Sequence, residues 1–198
     1  MLRARVGWSV VLSATLMVLG ATTSLAAGLV GRTAPAFSLA DQHGATHTLD
    51  RYRGKTVVLE WTNPQCPFVV RHYDAGTMKR LAEATAGDGV VWLAVNSSHF
   101  TSAKETMAWT AKYGHGFPTL QDPAGTMGKA YGAKTTPHMF VIDAKGIVRY
   151  EGAIDADPWV EDSKAENYVA AALADLKAKR TVTKGVIKPY GCSVKYEK

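Results

Sequence analysis

Cys66 is the side chain of this 198-residue sequence whose surroundings best fit a chemical role. It follows an apolar run, residues 56–62 (TVVLEWT), and is itself followed by Pro67. Proline is favoured at the first position of a helix, because its missing N–H would be unpaired there. Cys66 is therefore predicted to lie at or beside a helix N-cap, where free amides and the helix dipole lower the pKa of a thiol. The alternative is an inert core cysteine.

Two residues of the run before Cys66 are further candidates. Glu60 is flanked by aliphatic residues, and burying a carboxylate there is costly, which favours a proton-handling role with a raised pKa. The alternative is that Glu60 reaches solvent or pairs with a lysine or an arginine. Trp61, close to the turn that carries Cys66, is predicted to line a substrate groove.

The chain has one other cysteine, Cys192. Two cysteines are too few for a disulfide scaffold and too few for a zinc site. No metal and no cofactor are therefore predicted. Among the histidines, His72 lies six residues after Cys66 and is predicted to face solvent from its helix.

The first 27 residues have the pattern of a secretory signal. Arg3 and Arg5 give a basic start, residues 10–19 (VVLSATLMVL) form a short apolar core, and residues 24–26 (SLA) place small side chains where a signal peptidase reads. We predict a signal peptide over residues 1–26. An uncleaved anchor is the alternative, but the apolar core is short for a membrane span. Export implies a periplasmic or secreted protein without stable membrane insertion, in a compartment that permits disulfides.

Composition and net charge limit the classes of protein to which this chain can belong. Hydrophobic residues make up 46% and charged residues 20% of the chain, which is ordinary for a globular protein and excludes a disordered or polytopic membrane protein. The net charge of +6 is carried entirely by residues 176–198. A dispersed basic tail is typical of a solvated surface, and no nucleic-acid-binding motif accompanies it. We therefore predict no nucleic-acid partner.

Hydrophobic patterning predicts alternating strands and helices. Residues 56–62 and 90–96 are nearly continuous apolar runs, typical of buried parallel strands, and a helix is predicted from Pro67 to about residue 85. Two capping boxes, Ser102 with Glu105 and Ser163 with Glu166, predict helices to about residues 113 and 179. The other predicted elements are a peripheral hairpin (37–39, 46–49), a strand (119–121), a helix (124–131) and a second hairpin (138–143, 147–154).

This order predicts an α/β fold with a mixed central β-sheet and helices on both faces. The first half must be parallel, through right-handed crossovers, and the second hairpin adds an antiparallel edge. No linker is long enough to divide the chain, so residues 28–179 are predicted to form one domain. Residues 180–198 follow as a basic C-terminal tail that carries Cys192.

The motifs of this domain resemble those of a known family. From about residue 31 to residue 179 the chain resembles the redoxin branch of the thioredoxin-like superfamily, which includes peroxiredoxin-like proteins (alkyl hydroperoxide reductase and thiol-specific antioxidant). Residues 189–196 (PYGCSVKY) resemble the ending of an uncharacterised periplasmic subgroup of that branch. The resemblance implies a thioredoxin fold. The residues on which the resemblance rests are Glu60-Trp61, Asn63 to Pro67, Asp122 to Gly125, Tyr131-Gly132, Thr136-Pro137, Phe140 to Asp143, and Gly146.

The resemblance also implies roles for particular residues. Thr136-Pro137 resembles the cis-proline of the family, which would bring the backbone of residue 136 beside the active thiol and offer its N–H and C=O to an extended peptide. A trans proline that merely begins a strand is the alternative. Glu60 stands six residues before Cys66, the offset at which thioredoxins hold a buried acid.

Two departures from the family pattern bear on the activity. Thioredoxin has a second cysteine three residues after the first, where this chain has Val69, so Cys66 cannot form a local disulfide. Peroxiredoxins bind peroxide with a Thr or Ser three residues before the cysteine and an Arg near the hairpin strand. The matching positions here are Asn63 and Pro137. Compensation by the threonine before Asn63 and by Arg149 is an alternative.

We predict an exported thiol–disulfide oxidoreductase with Cys66 as attacking nucleophile and Cys192 as resolving thiol. The 13 residues from Lys179 to Cys192 can span up to about 43 Å, so the tail can reach the active turn. A free or intermolecularly paired Cys192 is the alternative. The expected partners are a disulfide-bearing protein or a small thiol or peroxide substrate, and a thiol reductant. The alternative functions are a peroxiredoxin-like thiol peroxidase and a non-catalytic binding or chaperone module.

Overall fold

A five-stranded sheet forms the centre of the computed structural model, which describes residues 28–197. The predicted signal peptide, residues 1–26, lies outside the described residues. The helices are α1 (Pro67–Asp74), α2 (Thr77–Ala86), α3 (Ala103–Tyr113), α4 (Thr126–Tyr131) and α5 (Tyr168–Lys177). The strands are β1 (Ser38–Ala40), β2 (Thr46–Thr48), β3 (Val57–Trp61), β4 (Val91–Asn96), β5 (Thr119–Gln121), β6 (Thr135–Thr136), β7 (His138–Ile142), β8 (Val148–Gly152) and β9 (Cys192–Ser193).

The central sheet is mixed and has helices on both faces, as predicted. Its strand order is β5-β4-β3-β7-β8. Strands β3, β4 and β5 are parallel to one another, β7 is antiparallel to β3, and β8 is antiparallel to β7. Successive residues of the fully buried β3 alternate between two apolar clusters, with Val58 in one and Leu59 in the other. Residues of α1, α2, α3 and α5 complete the first cluster and residues of α4 complete the second. The prediction of the fold class is confirmed.

Several predicted local signals are confirmed. Pro67 occupies the first turn of α1. At α3 both bonds of the Ser102–Glu105 capping box form, and the helix ends at Gly114 in the left-handed conformation (φ +55°). The predicted peripheral hairpin is the β1–β2 pair.

Two predictions of helix boundaries are wrong. The helix predicted over residues 67–85 is two helices, because Gly76 takes a left-handed conformation (φ +68°) between α1 and α2. The last helix begins at Tyr168, with the Asn167 side chain accepting from the Ala170 N–H (2.8 Å), rather than at Ser163. The preceding loop is shaped instead by the Asp157 carboxylate, which accepts the backbone N–H groups of Trp159, Glu161 and Asp162.

The C-terminal tail packs along the domain, so the expectation of a solvated tail is wrong for residues 185–196. Ile187 N–H donates to Glu151 O (3.0 Å), and Val194 N–H donates to Lys134 O (3.1 Å). Between these contacts β9 pairs antiparallel with β6, and Val194 is buried. Within residues 28–197, no helix has the length and apolar character that crossing a membrane requires.

Candidate active site

Cys66 lies at the N-cap of α1, as predicted. Its backbone is extended (φ −85°, ψ 118°), and its carbonyl accepts the first helical hydrogen bond, from Val70 N–H (2.9 Å). The turn before it is closed by Asn63, whose carbonyl accepts from Cys66 N–H (2.9 Å) and whose side chain accepts from Gln65 N–H (2.8 Å). The strand end, the turn and the helix start therefore hold the thiol in one position.

The segment before β7 lies directly beside this thiol. The Thr136-Pro137 peptide bond is cis, as the resemblance implied, and the Cys66 thiol donates to Thr136 O at 2.9 Å. Cys66 is only 1% exposed. The backbone of Thr136 thus contacts the sulfur that the sequence predicted to be the nucleophile.

The tail brings the second thiol to the same place. In the β6–β9 pair, Cys192 stands directly opposite Thr136, and the two thiols are close enough to shift the pKa of each other. Both cysteines are free thiols in the structure. Two residues 126 positions apart in the sequence are therefore neighbours in the fold.

The two thiols have different acidities. Burial raises the pKa of Cys66. The opposing contacts, from the Cys192 thiol, the Thr136 side chain and the amides of Val69 and Cys192, together have the larger effect, so the pKa lies below its ordinary value. Burial and the neighbouring Cys66 raise the pKa of Cys192 to about 11. Of the two thiols, Cys66 is therefore the more acidic and Cys192 the less acidic.

We expect alkylation of Cys66 by iodoacetamide to show a midpoint below pH 9.0, its ordinary pKa. In Cys192→Ala the midpoint should rise, because this variant removes the side chain that makes the largest of the contacts lowering the pKa of Cys66. Alkylation rates of the two proteins across pH measure this. A midpoint at or above 9.0 in the wild-type protein would contradict the assigned roles.

Glu60 is fully buried on the face of the sheet to which Cys66 packs. Tyr73 OH donates to its Oε2 (3.0 Å), and no lysine or arginine within the described residues pairs with it. Burial raises the pKa of Glu60 to about 8, against the lowering effect of Tyr73 and Thr62. Of the two alternatives for Glu60, solvent contact or an ion pair is therefore wrong, and a raised pKa is confirmed.

We expect Glu60→Gln to be more stable than the wild-type protein at pH 7. The folded protein holds a proton on Glu60 up to about pH 8, whereas the unfolded chain releases it near 4.5. Stability of the wild-type protein should therefore fall as pH rises between these values, by about 1.4 kcal/mol per unit from this group. The neutral amide avoids this loss, which is about 3 kcal/mol at pH 7.

Urea unfolding at pH 5, 7 and 9 measures this difference. The exposed Glu161→Gln is the matched control and should follow the wild-type curve. If Glu60→Gln keeps the same pH dependence as the wild-type protein, Glu60 does not carry the extra proton.

A buried polar network that links α1 to the tail was missed from the sequence. His72 was predicted to face solvent, but it is completely buried. Its Nε2 lies 2.8 Å from Tyr190 Oη, and Tyr190 OH donates to Asp155 Oδ1 (2.7 Å). Burial lowers the pKa of His72, against the opposing effect of Asp155 and Asp157. The signal available in the sequence was the spacing of His72 with buried Val69, which places both on one face of the helix.

The tail is held on the other side of Cys192 as well. Tyr196 OH donates to Ala133 O (2.8 Å), and its ring lies where a side chain at Gly125 or Gly128 would stand. The Cys192 strand is therefore anchored at both ends, two residues before the cysteine and four residues after it.

Trp61 does not contact this site. Its ring is completely buried against Tyr131 and Phe140, and its Nε1–H donates to Ser97 Oγ (3.1 Å). The prediction that it lines a substrate groove is wrong for this structure, because strand alternation places it on the sheet face opposite the Cys66 cluster. Within the described residues, no group of three or more His, Cys, Asp or Glu side chains is arranged to hold a metal ion.

Comparison with known proteins agrees with this geometry. The chain is 35% identical over 127 residues to thiol-disulfide oxidoreductase ResA of Geobacillus thermodenitrificans, covering 64% of this chain and 71% of the relative. It is 31% identical over 147 residues to thiol:disulfide interchange protein DsbE of Pseudomonas fluorescens biotype C, covering 72% and 77%. The fold is similar to the crystal structure of a hypothetical protein from Sinorhizobium meliloti 1021, with a TM-score of 0.76 at 27% identity, covering 85% of this chain and 94% of that one.

The family assignment rests on a longer stretch than the active turn. Residues 30–151 match the AhpC/TSA family, a range that begins before β1 and ends within β8. It therefore includes the central sheet, Cys66 and the Thr136-Pro137 bond, but it excludes the strand that carries Cys192. The chain belongs to the AhpC/TSA family of the thioredoxin-like superfamily and is a thiol-dependent oxidoreductase.

Proposed function

We propose that the protein is an exported thiol–disulfide oxidoreductase in which Cys66 is the nucleophile and Cys192 the resolving thiol. One observation carries the pairing of the two cysteines: β9 sets Cys192 opposite Thr136, whose carbonyl accepts from the Cys66 thiol. The acidities support the division of roles, since the pKa of Cys66 is lowered and that of Cys192 is raised.

The proposed reaction has two exchange steps. The Cys66 thiolate attacks one sulfur of a substrate disulfide, forms a mixed disulfide, and expels the other substrate sulfur, which takes up a proton. Cys192 then loses its proton and attacks the Cys66 sulfur, which forms the Cys66–Cys192 disulfide and releases the second substrate thiol. The substrate gains two electrons and the protein loses two, so a thiol reductant must reduce the protein disulfide before the next turnover.

Glu60 and the Thr136-Pro137 segment have supporting roles in this proposal. A carboxyl group with a pKa of about 8 can accept or give up a proton near neutral pH, which suits it to the proton released by the thiols. The backbone N–H and C=O of Thr136, with Pro137 beside them, provide an edge for a substrate in extended conformation.

Peroxide reduction, the alternative function, lacks a supporting contact. The Asn63 side chain is engaged by the Gln65 N–H. Arg149 Nε donates to Asp143 Oδ2 (2.7 Å), at the end of β7 away from Cys66. The Asn63 side chain is therefore occupied within the turn, and Arg149, one of the two residues that could compensate for the missing peroxide-binding residues, is held away from the thiol.

Export is part of the proposal and rests on the sequence. A basic start, a short apolar core and a small-residue cleavage pattern precede residue 27. The expected location is the periplasm or the exterior of the cell, where oxidants can drive the two thiols into a disulfide. The ending of residues 189–196 is consistent with the periplasmic subgroup that it resembles.

Stopped-flow mixing of the reduced protein with a small disulfide and, separately, with hydrogen peroxide tests the proposed function. We expect rapid exchange with the disulfide, dependent on Cys66, and a peroxide rate near that of a free thiol of similar acidity. A peroxide rate far above that of free thiols would favour the peroxidase instead. Absence of any thiol-dependent reaction with either reagent would contradict both.

A further inference from the structure

The strand edge beside Cys66 is already occupied by the chain itself. β9 pairs antiparallel with β6, with Ser193 opposite Thr135 and Cys192 opposite Thr136. Proteins that bind extended peptides at a strand edge use this kind of backbone pairing. A segment of the tail with a cysteine in it therefore stands where an external cysteine-containing segment would pair.

The fit of this segment depends on the glycine directly before its cysteine. Gly191 has a φ of +118°, which residues with a side chain rarely adopt. A Cβ atom at this position would lie 2.1 Å from Thr136 O and 3.2 Å from Pro137 Cδ. A larger residue before the cysteine would therefore push the strand away from the Thr136 backbone.

The strand is held by contacts on both sides of this close approach. Tyr190 bonds to Asp155 and His72 before it, and Tyr196 bonds to Ala133 after it. With the strand in place Cys66 is closed off from solvent. We expect a substrate to reach the Cys66 sulfur when β9 separates from β6.

We propose that residues 190–193 (YGCS) are an internal pseudosubstrate that competes with external cysteine-containing segments for the Thr136 edge. The same edge then selects disulfides in extended segments that have glycine directly before the cysteine. This inference rests on the proposed function and adds to it a class of substrate and the event that releases the substrate.

Competition for the edge couples strand exchange to sulfur exchange. An external segment pairs with Thr136 while the Cys66 thiolate attacks its cysteine sulfur and expels the other sulfur of that disulfide. The returning tail then displaces the segment and carries Cys192 to Cys66. Formation of the Cys66–Cys192 bond releases the substrate cysteine as a thiol, at the moment when the edge is taken over by β9.

Capture of short peptides by Cys66 tests this proposal in the full chain carrying Cys192→Ser. One peptide copies residues 188–195 (KPYGCSVK), and a second has valine in place of its glycine. Each carries thionitrobenzoate on its cysteine, and this group leaves first because its thiol has a low pKa. The absorbance of the released thionitrobenzoate measures the rate at which Cys66 forms a disulfide with the peptide, which is the rate of capture. We expect the glycine peptide to be captured at least about tenfold faster than the valine peptide.

Variants of the tail test the competition in the same background. Gly191→Val should weaken the protein's own strand and raise capture of the glycine peptide at least about fivefold. Tyr190→Phe, which removes one hydroxyl, should give a smaller rise. The matched controls are Gly87→Val, at a glycine with open space and a negative φ, and Tyr113→Phe, which removes a surface bond to Asp74. Neither should change capture.

Every variant is also measured with dithiobis(nitrobenzoate), a small disulfide, which shows whether Cys66 remains reactive. Equal capture of the two peptides, or no effect of both tail variants, would overturn the pseudosubstrate while the small disulfide still reacts. If Cys66 reacts with no disulfide in any variant, the proposed function itself fails and the inference fails with it.

Discussion

Cys66→Ser is expected to reduce disulfide exchange at least about a thousandfold, because a serine hydroxyl neither ionises near neutral pH nor forms a stable bond to sulfur. The loss should be this complete because burial, the largest cause of the raised pKa of Cys192, remains in the variant. At neutral pH Cys192 alone is therefore almost entirely protonated. Stopped-flow kinetics with a small disulfide, on wild-type and variant protein, measure the change.

Stability separates loss of chemistry from loss of fold in this experiment. Cys66 is buried, but serine is close to it in volume, and the oxygen can still donate to Thr136 O. The variant should therefore unfold cooperatively, with a midpoint near that of the wild-type protein. A folded Cys66→Ser protein with appreciable exchange would show that Cys192 is the attacking thiol and would reverse the proposed roles.

Cys192→Ser is expected to convert the protein into a trap for its substrate. Cys66 should still form the mixed disulfide, but release then depends on an external thiol. An intramolecular thiol has a high effective concentration, so multiple turnover should slow by about a hundredfold or more. Non-reducing mass spectrometry should detect the mixed disulfide in the variant and a Cys66–Cys192 disulfide in the oxidised wild-type monomer.

A serine outside the paired strand supplies a matched control. Ser163 is exposed, so Ser163→Ala should turn over at the wild-type rate. Recovery of Cys192 as a free thiol from the oxidised wild-type protein, with Cys66 over-oxidised, would contradict the resolving role. The mechanism would then use one cysteine.

Local signals in the sequence were sufficient where a few neighbouring residues decide the structure. Pro67 after an apolar run predicted the helix start that holds Cys66, and Ser102 with Glu105 predicted α3. The same kind of signal was wrong at Ser163, where the loop is turned by Asp157 and the helix is capped by Asn167. A capping motif shows that a helix can begin at a residue, whereas the backbone bonds of the whole loop decide whether it does.

Side-chain environments depended on packing that no local pattern describes. Trp61 and His72 were both assigned to the wrong surroundings. Trp61 lies in the core because successive strand residues face opposite sides of the sheet, and His72 is covered by a tail that begins over 100 residues later. Glu60 was decided by the same packing, since only burial without a cationic partner gives it a pKa of about 8.

The sequence by itself determined the class of fold, the position of the proposed nucleophile and the presence of one distant second thiol. These follow from residue types and short spacings, which act through local backbone preferences and alternation of apolar side chains. Only the tertiary structure decided which edge the tail pairs with, and hence that Cys192 meets Cys66 at Thr136. The length of the tail showed only that contact is within reach, because strand register is set by long-range backbone pairing and by the fit of Gly191 against Thr136.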